Sequence, residues 1–196
     1  MISSLKKVRE TPVSDPLPPC WLRTRPTTAD DDSAERHVLR TGDARRLHRA
    51  LIDTVDAARE VVIVASFLLA DEQLATALLR AAEGGKRVYV LTASEERLSK
   101  IVRDDDVFEA RMVEEHKRLL NRFAGKVLLR SAQHFHAKLL VIDPQSAPQG
   151  WITTANFNKA LHDSVELGVR LDPEAARDVA AWFAFVFWSE AERELA

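Results

Sequence analysis

A histidine and a lysine two residues apart are the first candidates for chemistry in this chain. Residues 136–143, HAKLLVID, place His136 and Lys138 ahead of an apolar run that ends at Asp143. Side chains two residues apart on a strand leave the same face, so His136 and Lys138 are predicted to lie side by side. An anion between them would remove their mutual repulsion. Lys138 would then neutralise the anion, and the neutral imidazole would act as nucleophile or base. By the same parity Asp143 lies on the opposite pleat, which favours a structural role for it.

Polar side chains follow on the next predicted strand. Thr154 and Asn156 share a face by the same rule, and a hydroxyl and an amide would hydrogen-bond phosphate oxygens beside the His–Lys pair. Thr153 and His134 are further candidates for contact with the substrate. Glu166, ten residues after Asn156, could hold the imidazole in one tautomer and stabilise its charged form.

The elements that must position these residues follow from hydrophobic periodicity. Residues 61–69 form a continuous, largely β-branched run, typical of a strand that is buried on both faces. A predicted helix at 71–85, with Asp71 as its N-cap, and a strand at 86–93 complete a parallel βαβ unit. Further strands are predicted at 127–133, 136–143, 151–156 and 164–171, with helices at 43–60, 94–126 and 173–195. The predicted fold is α/β, with a mixed, mostly parallel β-sheet flanked by helices on both faces.

Composition limits the classes of protein that fit. The 196 residues have a net charge of −2, 46% hydrophobic residues and 30% charged residues. These values suit a globular chain and leave no overall basic footprint for nucleic acid. A single cysteine, Cys20, excludes a disulfide within the chain and a cysteine-based metal site. We find no apolar stretch of membrane-spanning length and no signal peptide, so the cytoplasm is the expected compartment.

The first 40 residues differ from the rest of the chain. They are rich in Pro, Ser, Thr and Asp, which predicts an N-terminal arm or linker. This arm is a candidate contact for a partner protein. Residues 41–196 are predicted to form the catalytic domain.

Taken together, these motifs resemble the phospholipase D superfamily. The pattern H-x-K-x4-D at 136–143 matches its HKD motif, TTAN at 153–156 and Glu166 before LGV match its following segments, and residues 61–92 resemble its strand, helix and strand. The resemblance covers roughly residues 42–190. It implies that His136, Lys138, Glu166 and Asp143 are catalytic and that Thr154, Asn156, Thr153 and His134 bind substrate. Thr153 and Thr154 stand where the family usually has Gly and Ser, and Ser164 stands where an Asn is common.

The resemblance also implies a mechanism. His136 would attack phosphorus to form a phosphohistidine, a second His from another HKD motif would protonate the leaving group, and water would release the product without a metal or cofactor. This chain has one such motif, so the resemblance implies a homodimer, as in small bacterial nucleases of the superfamily. We therefore expect a nuclease, with DNA as substrate before RNA and no membrane partner. The alternatives are a lipid phosphodiesterase or phosphatidyltransferase, and a non-catalytic subunit of a DNA-processing or defence assembly.

Overall fold

Eight strands form one sheet in the computed structural model, which describes residues 38–40, 46–94, 96–98, 107–191 and 193–195. In sheet order they lie β1-β7-β6-β5-β2-β3-β4-β8. Their bounds are β1 (Val38–Arg40), β2 (Val61–Ala65), β3 (Arg87–Ala93), β4 (Leu128–Ala132), β5 (Leu139–Ile142), β6 (Gln149–Thr153), β7 (Leu167–Leu171) and β8 (Arg193–Leu195).

Five α-helices of at least four residues lie within the described ranges. They are α1 (Arg46–Ala57), α2 (Glu72–Glu83), α3 (Val107–Phe123), α4 (Ala160–Asp163) and α5 (Pro173–Phe185). The carboxylate of Asp71 accepts a hydrogen bond from the Leu74 amide at 2.8 Å and caps α2 as predicted. None of the helices in the described ranges is both long and apolar enough to cross a membrane.

The sheet is mixed, and its central strand is buried on both faces. Val62 and Val64 of β2 lie in the core beneath α1 and α2, whereas Ile63 and Ala65 lie in a second core beneath α5. This double burial explains the continuous apolar run. The α/β class, the mixed sheet and the helices on both faces are therefore confirmed.

The prediction that the sheet is mostly parallel is wrong. Only the pairings β2–β3 and β3–β4 are parallel, and the other five pairings are antiparallel. For β5 and β6 the physical reason is that only the six residues 143–148 join them, which is too short for a crossover, so they can pair only antiparallel.

The predicted terminal helix is also shorter than expected. Regular α-helix ends at Phe185, a π-helical turn spans Val186–Glu190, and β8 then pairs with β4. The guanidinium of Arg130 donates to the Phe187 carbonyl at 2.7 Å and lies over the Trp188 ring, 4.7 Å from its centroid. These contacts fix the wide turn on β4 and direct the chain back to the sheet edge.

Two predictions fall largely outside the described residues. These are the arm at 1–40, of which only β1 is described and belongs to the sheet, and the first part of the predicted helix at 94–126, where residues 99–106 are not described.

Candidate active site

One edge of the sheet collects the strand ends that carry the candidate residues. The parallel strands β2, β3 and β4 end at this edge, where β5 begins, β6 ends and β7 begins. The ladder extends one step beyond the strands, because the Thr153 amide donates to the Lys138 carbonyl and the Thr154 amide donates to the Leu167 carbonyl, both at 3.0 Å. In open α/β sheets ligands bind outside the carboxyl ends of the parallel strands.

His136 and Lys138 lie side by side there, as predicted. The Lys138 ammonium is 3.0 Å from Nδ1 and 3.1 Å from Nε2 of the imidazole. Near-equal distances to two nitrogens whose lone pairs diverge do not describe a well-aligned hydrogen bond to either one. His136 is exposed, while Lys138 is only 8% exposed. The Phe67 ring packs against the imidazole with centroids 5.4 Å apart.

The surroundings favour a neutral imidazole. Partial burial lowers the pKa of His136, and the positive charges of Lys138 and Arg97 lower it further. Burial also lowers the pKa of Lys138, whereas the negative charge of Glu166 opposes that change. A neutral imidazole beside an ammonium is the pairing that nucleophilic attack on an anionic phosphodiester requires.

Glu166 and Thr154 lie on the Lys138 side of the site. The Thr154 hydroxyl donates to the Glu166 carboxylate and accepts from the Leu167 amide at 3.1 Å. The structure thus brings these two predicted residues together with the His–Lys pair.

Asn156 presents an unused polar atom. Its buried Oδ1 has no hydrogen-bond partner among the described residues. An unsatisfied buried acceptor is costly, and exchange of the amide O and N positions would present two donors to an anion instead. Either orientation marks the Asn156 amide as a group that a ligand would satisfy.

Thr153 and His134 are the two remaining residues that were predicted to bind substrate. The Thr153 hydroxyl donates to the Ala155 carbonyl at 2.8 Å and so supports the turn toward Asn156. His134 is exposed in the turn before His136.

Asp143, which was also predicted to be catalytic, lies away from His136 and Lys138. It follows β5 at the opposite edge of the sheet, roughly 16 Å along the strand from Lys138. Its carboxylate accepts the backbone amides of Arg59, Glu60 and Val61 at 2.7, 2.8 and 2.9 Å. Asp143 therefore anchors the start of β2 to the end of β5, as the parity argument predicts.

Several residues that support the fold around the site were not predicted from the sequence. The hydroxyl of Ser66, just after β2, accepts the Phe157 amide at 2.9 Å and so holds the segment that carries Asn156. His48 and His116, which the sequence did not single out, are buried. His48 could have been found, because it lies three and seven residues before the buried Leu51 and Val55 and therefore on the core face of α1.

The fold and the paired His–Lys site define a phospholipase D-like protein. The family model described as "Cardiolipin synthase, PLD-like domain" matches residues 51–187, and the chain belongs to this family.

Solved structures show the same fold at low sequence identity. Nuc from Salmonella typhimurium, a phospholipase D family member, matches with a TM-score of 0.62 and 16% identity over 80% of this chain and 96% of that chain. NucT from Helicobacter pylori matches with a TM-score of 0.58 and 16% identity over 80% and 97%. A phosphatidylserine synthase from Haemophilus influenzae matches with a TM-score of 0.59 and 14% identity over 81% of this chain but 40% of its own. No curated protein matches the sequence.

Proposed function

We propose that this chain is a nuclease, a phosphodiesterase that cleaves nucleic acid, DNA before RNA, through a phosphohistidine as a homodimer. The observation that carries the proposal is the exposed imidazole of His136 at 3.0 Å from the Lys138 ammonium. Membership of the phospholipase D-like family supports phosphodiester chemistry.

In the first step one bond to phosphorus forms and another breaks. A ring nitrogen of His136 bonds to phosphorus, the bond from phosphorus to the leaving oxygen breaks, and an acid protonates that oxygen. Lys138 balances the charge on the phosphoryl oxygens, and Thr154 and Asn156 hold them. In the second step water attacks phosphorus, the N–P bond breaks, and the group that acted as acid takes the proton of water.

The acid is proposed to be His136 of a second copy. In the described part of the chain, the imidazoles of His48, His116 and His162 are held in contacts elsewhere. The other described histidine that is close to His136 in sequence is His134, which is exposed. A two-fold axis close to the site would bring the second His136 into place.

The surface next to His136 suits such a partner. A cavity of about 520 Å³ is lined by His136, Lys138, Ile152, Val179 and Trp182, among others. Ile152 and Trp182 are 42% and 45% exposed. A contiguous apolar patch beside catalytic residues is typical of an interface.

The substrate class is inferred from overall size and from the resemblance to small nucleases. The chain matches Nuc and NucT over nearly their whole lengths, whereas it matches less than half of the phosphatidylserine synthase. The match to the phosphatidylserine synthase and the apolar patch support a second candidate function, a lipid phosphodiesterase or phosphatidyltransferase.

A direct assay separates these functions. Purified protein would be incubated in EDTA with plasmid, single-stranded DNA, RNA and phosphatidylglycerol vesicles, with His136→Ala as the matched control. We expect the wild-type chain to cut nucleic acid and the variant to be inactive. Release of a headgroup from vesicles without nucleic-acid cleavage would favour the lipid enzyme, and no turnover of any substrate would contradict both.

A further inference from the structure

Three ligand-type side chains meet away from the His136 site. His48 lies on α1, Asp71 caps α2 and His162 lies on α4. Nε2 of His48 is 2.9 Å from Oδ1 of Asp71, and Nε2 of His162 is 3.0 Å from Oδ2 of the same carboxylate. The two imidazole rings touch edge to face, with centroids 4.5 Å apart.

We propose that this His48–Asp71–His162 cluster binds one divalent transition-metal ion, with Zn²⁺ as the reference ion. Two imidazoles and a carboxylate are a donor set that zinc accepts, with a fourth position left for water. The proposal does not depend on the proposed function, because the cluster takes no part in the phosphoryl chemistry.

The geometry is close to that of a metal site. One ligand atom from each residue lies within 4.8 Å of the others. Donors about 2.0–2.1 Å from a tetrahedral zinc are roughly 3.4 Å apart. The two imidazoles now contact different oxygens of Asp71. The longest of the three spacings would therefore have to contract by up to about 1.4 Å, which small side-chain rotations supply. Zinc would take the Nε2 position of each imidazole, and each neutral ring would then carry its proton on Nδ1.

The surroundings also meet the needs of a metal site. The Leu74 amide bonds Oδ1 of Asp71 and fixes the orientation of the carboxylate, which is the outer-sphere support that ligating groups usually have. His48 and Asp71 are 2% and 6% exposed, so their side is closed to water. The His162 side chain is 22% exposed and offers a path for the ion and for a bound water.

A bound ion would act on the fold beside the active site. The amides of Ala70 and Asp71 both donate to the Phe157 carbonyl, at 2.8 and 3.0 Å. Phe157 follows Asn156, so the cluster joins α1 and α2 to the segment that carries a substrate-binding residue. The ion would therefore be structural. Its removal would lower the melting temperature more than it affected turnover.

The test is a metal titration of the full chain after treatment with a chelator. Zn²⁺ binding would be followed by calorimetry and thermal melting, and Co²⁺ binding by its absorption spectrum. We expect one ion per chain, a rise in melting temperature, and a tetrahedral Co²⁺ spectrum. His162→Ala should weaken binding about 100-fold or more, because outer-sphere changes alone cost 10- to 100-fold.

Matched variants control for other sites and for folding. His136→Ala removes the histidine of the catalytic pair, and His134→Ala removes its neighbour. Neither change should alter the stoichiometry or the affinity of Zn²⁺ binding. His162→Gln keeps the size of the side chain, and circular dichroism would confirm that each variant folds. Absence of stoichiometric binding by the wild-type chain, or equal affinity in folded His162 variants, would overturn the proposal and leave the cluster as a hydrogen-bonded clamp.

Discussion

The charges around His136 favour the neutral imidazole that the proposed mechanism requires of the nucleophile. Its neutral form is the reactive one, and partial burial with the nearby Lys138 and Arg97 lowers its pKa below the usual value of 6.5. The imidazole therefore stays mostly neutral at pH 6.5 and becomes protonated only at lower pH. We expect the acidic limb of kcat/KM to have its midpoint below pH 6.5, because this parameter reports the free enzyme and the copy of His136 that attacks must be neutral. The copy that acts as the acid must be protonated and gives the basic limb. An acidic midpoint above pH 6.5 would contradict this assignment.

The same coupling can be measured without substrate. Lys138→Ala removes a cation next to the imidazole, so the pKa of His136 should rise toward its usual value. Titration followed by NMR would measure it, with His134→Ala as the control that leaves both members of the pair in place. An unchanged His136 titration in Lys138→Ala would mean that the contact has no electrostatic role.

Loss of either member of the pair should affect turnover far more than binding. His136→Ala removes the atom that bonds to phosphorus and should abolish both steps. Lys138→Ala should lower kcat by about two to three decades, as removal of an electrostatic stabiliser typically costs roughly 3–4 kcal/mol. Single-turnover kinetics and a filter-binding assay would separate the two effects. Near wild-type turnover by His136→Ala would refute the mechanism.

At the scale of elements, Asp143 links two strands that are distant in sequence. Asp143→Asn keeps a residue that tolerates the positive φ of 45° at this position, but it replaces one acceptor oxygen with an amide nitrogen. We expect a loss of about 1–3 kcal/mol in the free energy of unfolding, since a buried amide loses its partner, and a kcat close to wild type. Denaturant unfolding and steady-state kinetics would measure the two.

Asp143 also predicts how stability depends on pH. Burial alone would raise the pKa of Asp143, but the three backbone amides and the charge of Arg59 lower it below its usual value of 3.8. The stabilisation is therefore complete above pH 3.8 and is lost as the pH falls through the lowered pKa. In Asp143→Asn this part of the acid sensitivity should be missing from the unfolding curves.

The sequence predicted most of the elements but not all of their arrangement. The βαβ unit, the cap at Asp71 and the contact of His136 with Lys138 follow from local periodicity and strand parity. The long-range partners do not, because nothing near Asp143 in the sequence indicates that its carboxylate reaches residues 59–61. The π-helical turn was missed for a similar reason, since Phe187 and Trp188 continue the apolar pattern of α5 while Arg130 of a distant strand fixes their backbone.

At the scale of the whole molecule, the proposed dimer can be disrupted selectively. Ile152 lies at the apolar patch beside the active site, and Leu128 is similarly exposed on β4, on the far side of the sheet. Ile152→Glu should yield a monomer with little activity, because a charge buried in an interface is costly, whereas Leu128→Glu should remain an active dimer. Light scattering and the nuclease assay would report mass and activity. A fully active Ile152→Glu monomer would contradict a shared active site.

Subunit mixing tests the shared site directly. If each reaction uses His136 from both copies, a mixed dimer of wild-type and His136→Ala chains should be inactive. Activity in the mixture should then fall faster than the wild-type fraction. A linear fall would show that each subunit works alone.

The order of the strands has a consequence for folding. β2–β3–β4 and β5–β6–β7 each contain strands that are close in sequence, and the two groups meet only where β2 pairs with β5, about 77 residues apart. Closing so long a loop is slow compared with forming local pairs. We infer that each group forms early and that their docking is the late step. The Asp143 anchor and the packing of Phe67 on His136 both span this junction. Activity should therefore return only with the docking step. During refolding we expect activity to recover later than most of the secondary structure.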